Sequence, residues 1–394
     1  MKYTQPVHIA SARRSAIGRF GGVFQSMSAA DLALPVAAAV VPESLRPDVS
    51  QVIIGQVLPA GSGMNVARQV GLRLGLPQSS TAYTVNMVCA SGLKAVSLAA
   101  DAVASGESGL VLAGGVEVMS RSPHYAPDLR FGRKLGDGSL VDSITVDGLT
   151  DPVLRIGMGE TAERLADLLK INRAEQDRFA LVSQQRAAAA RDAFRREIIP
   201  ITTRGGEIVD DEHPRPDTTL EKLAQLKPAF RPDGSVTAGN SSGINDAAAC
   251  ILLAGEGALV RHGLESQARI VACTASGCDP GTMGLGPVGA IRRLCEETGW
   301  KLDEVEAVEI NEAFASQTLG CAMELGLDME KLNRRGGGIA LGHPLGCSGA
   351  RVLVTLLHLM KDLDLRRGIA SLCVGGGMGI AMAIERPVSP SHRR

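Results

Sequence analysis

The sequence predicts an α/β protein made of two similar halves, with a polar insertion in the first. Three observations carry this. Apolar runs of strand length alternate with segments of helical spacing along most of the chain. A strand–turn–helix–strand–glycine pattern occurs once in each half. Between them, residues 119–246 are polar, rich in Arg and Asp, and broken by Pro and Gly.

In chain order, strands are expected over 7–11 and 51–57, with a helix over 29–40 between them. A β-leaning run over 83–88 stops at Cys89, and helical spacing follows over 90–105 through Leu93, Val96, Ala100 and Val103. Residues 109–117 read as a buried strand ending in Gly-Gly. The insertion holds one long, strongly charged helix over 173–194 and is expected to face solvent. From Ala247 the apolar pattern resumes. The expected units are 1–118, an inserted loop domain over 119–246, a return to the first half over 247–270, and a second half over 271–394.

The repeat is the most informative feature. Cys89-Ala-Ser91-Gly92 opens a helix that leads to an apolar strand and Gly114-Gly115. Gly346-Cys-Ser348-Gly349 opens a helix over 350–360 that leads to a strand over 369–374 and Gly375-Gly376-Gly377. Residues 48–57 likewise match 303–312. Two such halves imply a pseudo-twofold molecule with its site where they meet.

Composition narrows the class. Of 394 residues, 45% are hydrophobic and another 46 are glycine, while aromatics make up 3%; the core must therefore pack Ala, Val, Leu and Ile at close spacing. A net charge of -1 lacks the basic excess of a general nucleic-acid binder. The 8 cysteines show no CxxC pair or zinc-like spacing, and several sit in apolar stretches, as reduced cytoplasmic thiols do. No apolar run reaches membrane-spanning length, and no signal peptide is expected at the N-terminus.

Four positions draw attention for their chemistry. Cys89, at a strand-to-helix junction, meets the positive end of a helix dipole, which favours a thiolate; an inert buried thiol is the plain alternative. His343 lies between glycines and before Pro344, in a constrained loop suited to aiming an imidazole. Cys373 ends a strand and precedes a glycine run that either exposes backbone N–H groups to a ligand or makes a tight turn. Asn311 follows an apolar run and either caps the next helix or serves a site.

Together, and in this order, these features resemble the thiolase family. The resemblance runs from Ser11-Ala-Arg-Arg-Ser-Ala-Ile-Gly-Arg-Phe-Gly-Gly22 through Val85-Asn-Met-Val-Cys-Ala-Ser-Gly92 and Thr237-Ala-Gly-Asn-Ser-Ser-Gly-Ile-Asn-Asp246. It continues with Asn311-Glu-Ala-Phe-Ala315, Gly342-His-Pro-Leu-Gly-Cys-Ser-Gly-Ala-Arg351 and Cys373-Val-Gly-Gly-Gly-Met-Gly379.

The resemblance implies a thiolase fold of five αβαβα layers, a loop domain covering coenzyme A, and a homodimer or homotetramer. It implies an acyltransferase acting on acyl-CoA and CoA, condensing two acetyl-CoA to acetoacetyl-CoA or running in reverse. In that reading Cys89 carries the acyl group, His343 helps form its thiolate, and Cys373 moves a proton. Asn311 holds a water beside His343, and the N–H groups of Cys89 and Gly375 form an oxyanion hole. Ser242 matches a CoA-binding serine, and Met158 packs near the acyl group. Arg215 matches a residue near the nucleotide end, or is a solvated surface charge. No metal or redox cofactor is implied, since CoA thioesters are the substrates.

One departure stands out. Short-chain biosynthetic members carry His-Met-Gly where this chain has Gly157-Met158-Gly159, which leaves room for a longer 3-ketoacyl chain. The other readings are a decarboxylating synthase of the same fold, which would present a second active-site histidine, and a non-catalytic CoA-binding scaffold, which would lack these groups.

Overall fold

The structure is a computed structural model and describes residues 2–387. Met1 and 388–394, at the outer ends of the two expected terminal units, lie outside the described residues.

Nine strands form the frame: β1 Lys2–Arg14, β2 Val49–Gly55, β3 Thr81–Val85, β4 Leu110–Val118, β5 Asn245–Gly255, β6 Ala268–Gly277, β7 Ala307–Ile310, β8 Arg367–Val374 and β9 Met378–Glu385. Their order is β7-β8-β9-β6-β1-β5-β4-β2-β3, and a two-residue strand, Gly18–Arg19, completes a sheet of ten by pairing with β5. The halves are joined edge to edge by antiparallel pairing of β1 with β6, Val7 opposite Ile270 and Ile9 opposite Ala268.

The halves mirror one another in detail. Parallel β2 and β4 in the first half match parallel β7 and β8 in the second. In the first, β2 also pairs with the parallel edge strand β3, which leads to Cys89. In the second, that edge strand shrinks to one bridge between Val308 and Leu332, on the chain that leads to His343.

Helix α1 (Ala29–Val40) covers the outer face of β4 and β5, and α5 (Gly286–Thr298) covers β6, β8 and β9. Between the sheet halves lie α2 (Ser91–Ala104) and α7 (Leu345–Asp362), packed on each other and on strands of both halves. The layers are thus αβαβα. From Leu345 to Met360 every residue of α7 is buried, as a nearly all-apolar helix requires.

Small residues set the closeness of this central layer. A Cβ added at Gly92 would lie 2.7 Å from Ala350 N, and one at Gly349 would lie 2.4 Å from Leu93 N. These are the two glycines that the repeat equates. Each removes a side chain where the other helix's backbone passes, so the two N-terminal turns meet at the molecular centre.

Two expectations need correction. The first strand is 13 residues long, not five. Its far end carries Arg14, which is buried and paired with Glu197 at 2.6 Å and Asp211 at 2.6 Å. The insertion is also less solvent-facing than its charge implied. Its helix breaks at Ala190 into α4 (Arg173–Ala189) and a short turn, Arg191–Phe194. One face of α4 is buried and carries polar groups that find partners: Ser183 Oγ donates to Glu312 Oε2 at 2.6 Å, and Asp177 Oδ1 accepts from Asn240 Nδ2 at 2.9 Å.

The Gly92→Ala variant is therefore expected to lose at least about 2 kcal/mol of stability, since the added methyl meets backbone that cannot rotate away. Urea unfolding followed by circular dichroism checks this; an unchanged midpoint would show that the crossing is loose.

Candidate functional site

The turn before α2 is strained and braced. Val88 adopts φ 47°, a left-handed conformation that a β-branched residue rarely takes. Ser91 Oγ holds it, accepting from Met87 N at 2.9 Å and donating to Val88 O at 2.7 Å, while Asn86 Oδ1 accepts from Val88 N at 2.9 Å. This arrangement turns Cys89 out of the strand line, just ahead of the helix. Strain kept in place by three hydrogen bonds is typical of a positioned functional group.

Cys89 opens onto a cavity of about 550 Å³ that is also lined by His343, Met158, Ser242 and Arg215. Asn311 and Cys373 are fully buried and stand behind its wall. Cys373 packs in one apolar cluster with Met158, Met283, Ala313 and Phe314, all four of which line the cavity. The two catalytic-candidate sulfurs are neighbours: after burial, the charge of Cys89 is the largest influence raising the Cys373 thiol well above its ordinary value.

Gly375 comes from the turn between β8 and β9. Val374 pairs with Met378, so Gly375, Gly376 and Gly377 form the loop, with φ of 84° and 78° at the last two. The tight turn and the exposed N–H are one feature, because the turn directs the Gly375 N–H at the Cys89 sulfur.

Burial pushes the Cys89 thiol from its ordinary 9.0 up to about 11, against the lowering effect of the N–H groups of Gly375 and Cys89 itself. The helix start, which favours a thiolate, is thus outweighed. A rise of that size corresponds to roughly 3 kcal/mol, whereas a helix N-terminus contributes about 0.3–1 kcal/mol. Burial wins, and the sulfur holds its proton until a base takes it.

His343 lines the same cavity as Cys89. Burial, with a smaller push from the Arg351 charge, lowers it from 6.5 to about 3, so the ring is neutral. Its tautomer follows from Ser348. With the serine hydroxyl proton assigned to Pro344 O at 2.8 Å, Ser348 Oγ accepts from His343 Nδ1–H at 2.5 Å. Nε2 is left with a free lone pair. The loop backbone is pinned by Asn245, whose Oδ1 accepts from His343 N at 3.0 Å. Neutral burial also has a stability consequence: below about pH 6.5 the unfolded chain takes up a proton that the folded chain refuses, so stability falls as pH drops from there toward 3.

Asn311 does not cap a helix; the next helix, α6 (Ala315–Leu325), has Phe314 at its cap position. Its Nδ2 lies 3.4 Å from each nitrogen of His343, which places the amide over the ring face. Its Oδ1 accepts from Arg351 Nη2 at 3.3 Å.

Ser242 lines the middle of the cavity, its N–H bonded to Ala313 O at 2.9 Å. Arg215 is exposed at the cavity's edge and also borders a neighbouring cleft with Lys222. Gly157 caps α3 (Met158–Leu169) and lines the cavity; a Cβ there would come no closer than 3.9 Å to Leu149 O.

Sequence reasoning missed several members. Ser348 stood in a noted motif without a role, although a hydroxyl five residues after a loop histidine was a usable signal. His213 seemed unconstrained, yet it lines the cavity, accepts from Asn245 Nδ2 at 3.3 Å, and is lowered to about 4 by burial and the nearby Arg215 and Arg19 charges. Phe230 and Phe314 form an edge-to-face pair, centroids 6.0 Å apart, on the cavity wall. Glu117 is buried and binds Val57 N, Leu58 N and Gly346 N at 2.9, 3.1 and 2.8 Å, tying the first half to the start of α7.

Comparisons with known proteins agree in one direction. Residues 7–257 match the family described as "Thiolase, N-terminal domain", and residues 264–386 match "Thiolase, C-terminal domain". The acetyl-CoA acetyltransferase of Chromobacterium violaceum is 49% identical over 97% of this chain and 100% of its own length. The crystal structure of Bacillus anthracis acetyl-CoA acetyltransferase superposes with a TM-score of 0.94 at 44% identity, covering 98% of this chain and 100% of that one. Human mitochondrial 3-ketoacyl-CoA thiolase, in complex with CoA, superposes with a TM-score of 0.95 at 41% identity, covering 98% and 99%.

With a thiol raised to about 11, alkylation of Cys89 by iodoacetamide is expected to climb with pH and still be rising at about pH 9. Peptide mapping against time checks it. A plateau reached by about pH 7 would instead show a preformed thiolate.

Proposed function

The chain belongs to the thiolase family, and we propose that it works as an acetyl-CoA acetyltransferase, joining two acetyl-CoA into acetoacetyl-CoA and CoA, or the reverse. The observation that carries this is the convergence of the Cys89 sulfur, the His343 imidazole and the Gly375 N–H on one cavity, with Cys373 and Asn311 directly behind its wall.

In this reading His343 Nε2 takes the Cys89 proton as the sulfur attacks the thioester carbonyl. The N–H groups of Cys89 and Gly375 hold the oxygen of the tetrahedral intermediate, a contribution of about 100–1000-fold in rate per donor. The C–S bond to CoA then breaks, and the leaving sulfur takes its proton from the Cys373 thiol, which becomes a thiolate while His343 keeps the Cys89 proton on Nε2. A second acetyl-CoA loses an α-proton to the Cys373 thiolate, and the resulting carbon attacks the acetyl group on Cys89.

An α-proton of a thioester is a weak acid, so its base needs high proton affinity. Burial supplies this at Cys373. The enolate oxygen is met by His343 and by a water held at Asn311. Coenzyme A enters past Ser242 toward Arg215, with Met158 against the acyl group. The chemistry consists of acyl and proton transfers, which these side chains perform themselves; no metal or redox cofactor is needed.

We also place the protein in the cytoplasm as a homodimer or homotetramer. Among the described residues no two cysteines are joined in a disulfide, and no helix is long and apolar enough to cross a membrane. For assembly, β3 has no strand beyond it in the sheet, with Tyr83 on it 38% exposed and Met64 close by in sequence 92% exposed. Light scattering is expected to give a multiple of the chain mass, and a monomer would end that reading.

The purified protein is expected to cleave acetoacetyl-CoA with free CoA, faster per kcat/KM than longer 3-ketoacyl-CoA substrates, and Cys89→Ser is expected to abolish cleavage. Full activity in that variant would remove Cys89 from its role. Preference for a longer chain would place the protein with the 3-ketoacyl-CoA thiolases of fatty-acid breakdown.

A further inference from the structure

Arg351 lies in the second turn of α7 and is completely buried. Its Nη2 donates to Asn311 Oδ1 at 3.3 Å. Its Nε and Nη1 have no hydrogen-bond partner among the described residues. Glu309, two residues before Asn311 on β7, is buried too, and its Oε1 is likewise unpartnered. Burial pushes that carboxyl up to about 8, with the Arg351 charge acting against it.

A guanidinium held in this way is costly, because a buried cation with incomplete hydrogen bonding forfeits much of its hydration. Apolar side chains of similar volume commonly replace such groups without loss of stability. The residues after it on the helix, Val352, Leu353 and Val354, are apolar and buried, so packing alone does not call for a charge. Its use is to be sought in the bond it makes.

That bond decides which way the Asn311 carboxamide points. The two ends of a carboxamide match in shape and are opposite in hydrogen bonding. A guanidinium carries only donors, so Oδ1 alone can face it. Nδ2 is thereby turned toward His343, at 3.4 Å from both ring nitrogens. Without the guanidinium, the flipped amide would present an acceptor to the site.

We propose that Arg351 is a positioning residue for the enolate step, fixing the Asn311 carboxamide so that a donor faces the oxygen of the deprotonated acetyl group. This rests on the reading of His343 and Asn311 as the enolate-side pair. In that step the α C–H bond breaks, the proton passes to the Cys373 thiolate, and the electron pair delocalises onto the oxygen. Arg351 touches no substrate and takes no part in acyl transfer to Cys89.

Two rates separate the steps: acetyl transfer from acetyl-CoA to Cys89, followed by rapid-quench mass spectrometry, and exchange of acetyl methyl protons with deuterium oxide, followed by NMR. Arg351→Lys keeps the charge and loses the planar fork. It is expected to slow exchange about 100-fold while changing acetyl transfer by less than about 3-fold. In an Asn311→Ala background, where no carboxamide is left to orient, Arg351→Lys is expected to change exchange by less than about 3-fold.

Equal slowing of both rates would overturn the proposal, as would an undiminished effect of Arg351→Lys in the Asn311→Ala background. Exchange left intact by Asn311→Ala alone would instead overturn the reading of the site on which the proposal rests. Arg351→Met, apolar and of similar length, replaces Arg351→Lys if that variant does not fold. Failure of both to fold would assign Arg351 a structural role and end the proposal.

Discussion

The close crossing of two buried helices is the constraint on which everything else in this molecule depends. Gly92 on α2 and Gly349 on α7 each face backbone of the other helix with no room for a methyl group. The crossing brings the first turns of both helices to the centre, where one presents Cys89 and the other follows directly on His343 and its loop. Glu117 adds a second tie, reaching from β4 to the Gly346 N–H at the start of α7. A thiol and an imidazole from opposite halves of a repeat can share a cavity only if the halves approach this closely.

The same closeness buries the reactive side chains, and burial governs their electrostatics. Cys89 and Cys373 are raised and His343 is lowered, in each case chiefly by burial. All three therefore rest neutral, and charge appears only when a proton moves between them. In such surroundings a few fixed dipoles carry large effects. The Gly375 N–H aimed at the Cys89 sulfur, the Ser348 hydroxyl setting the imidazole tautomer and the carboxamide of Asn311 are each held by a turn, a helix start or a strand end. Arg351, a guanidinium kept deep in this region, is bonded to that carboxamide.

Much of this was legible in the sequence, for physical reasons that differ from residue to residue. Apolar periodicity located α1, α2 and α7 because their buried faces are made of apolar side chains. The repeat showed that Cys89 and the His343 loop stand in equivalent places, because both precede a helix that packs through a glycine. Periodicity failed where burial is achieved by polar groups. Arg14 ends a buried strand, its charge met by Glu197 and Asp211, so the strand looked short. The inner face of α4 carries Gln176, Asp177, Ser183 and Gln184, so the helix looked solvated. The resting protonation of Cys89 was not legible for another reason: sequence reveals proximity to a helix start but not the depth of burial that outweighs it. Val88 and His213 left no trace in pattern at all, since a backbone torsion and a distant asparagine define them.

The picture is of two copies of one αβ unit, each offering a helix start, pressed together until a thiol, an imidazole and a backbone N–H share a single thioester-sized space. A crystal structure after soaking with acetyl-CoA addresses this most directly. The acetyl group is expected on the Cys89 sulfur, with its oxygen at the Gly375 N–H and its carbon facing the Cys373 sulfur. Acetyl-CoA seated in another cleft, such as the one lined by Ala187 and Phe194, with Cys89 unmodified, would contradict it.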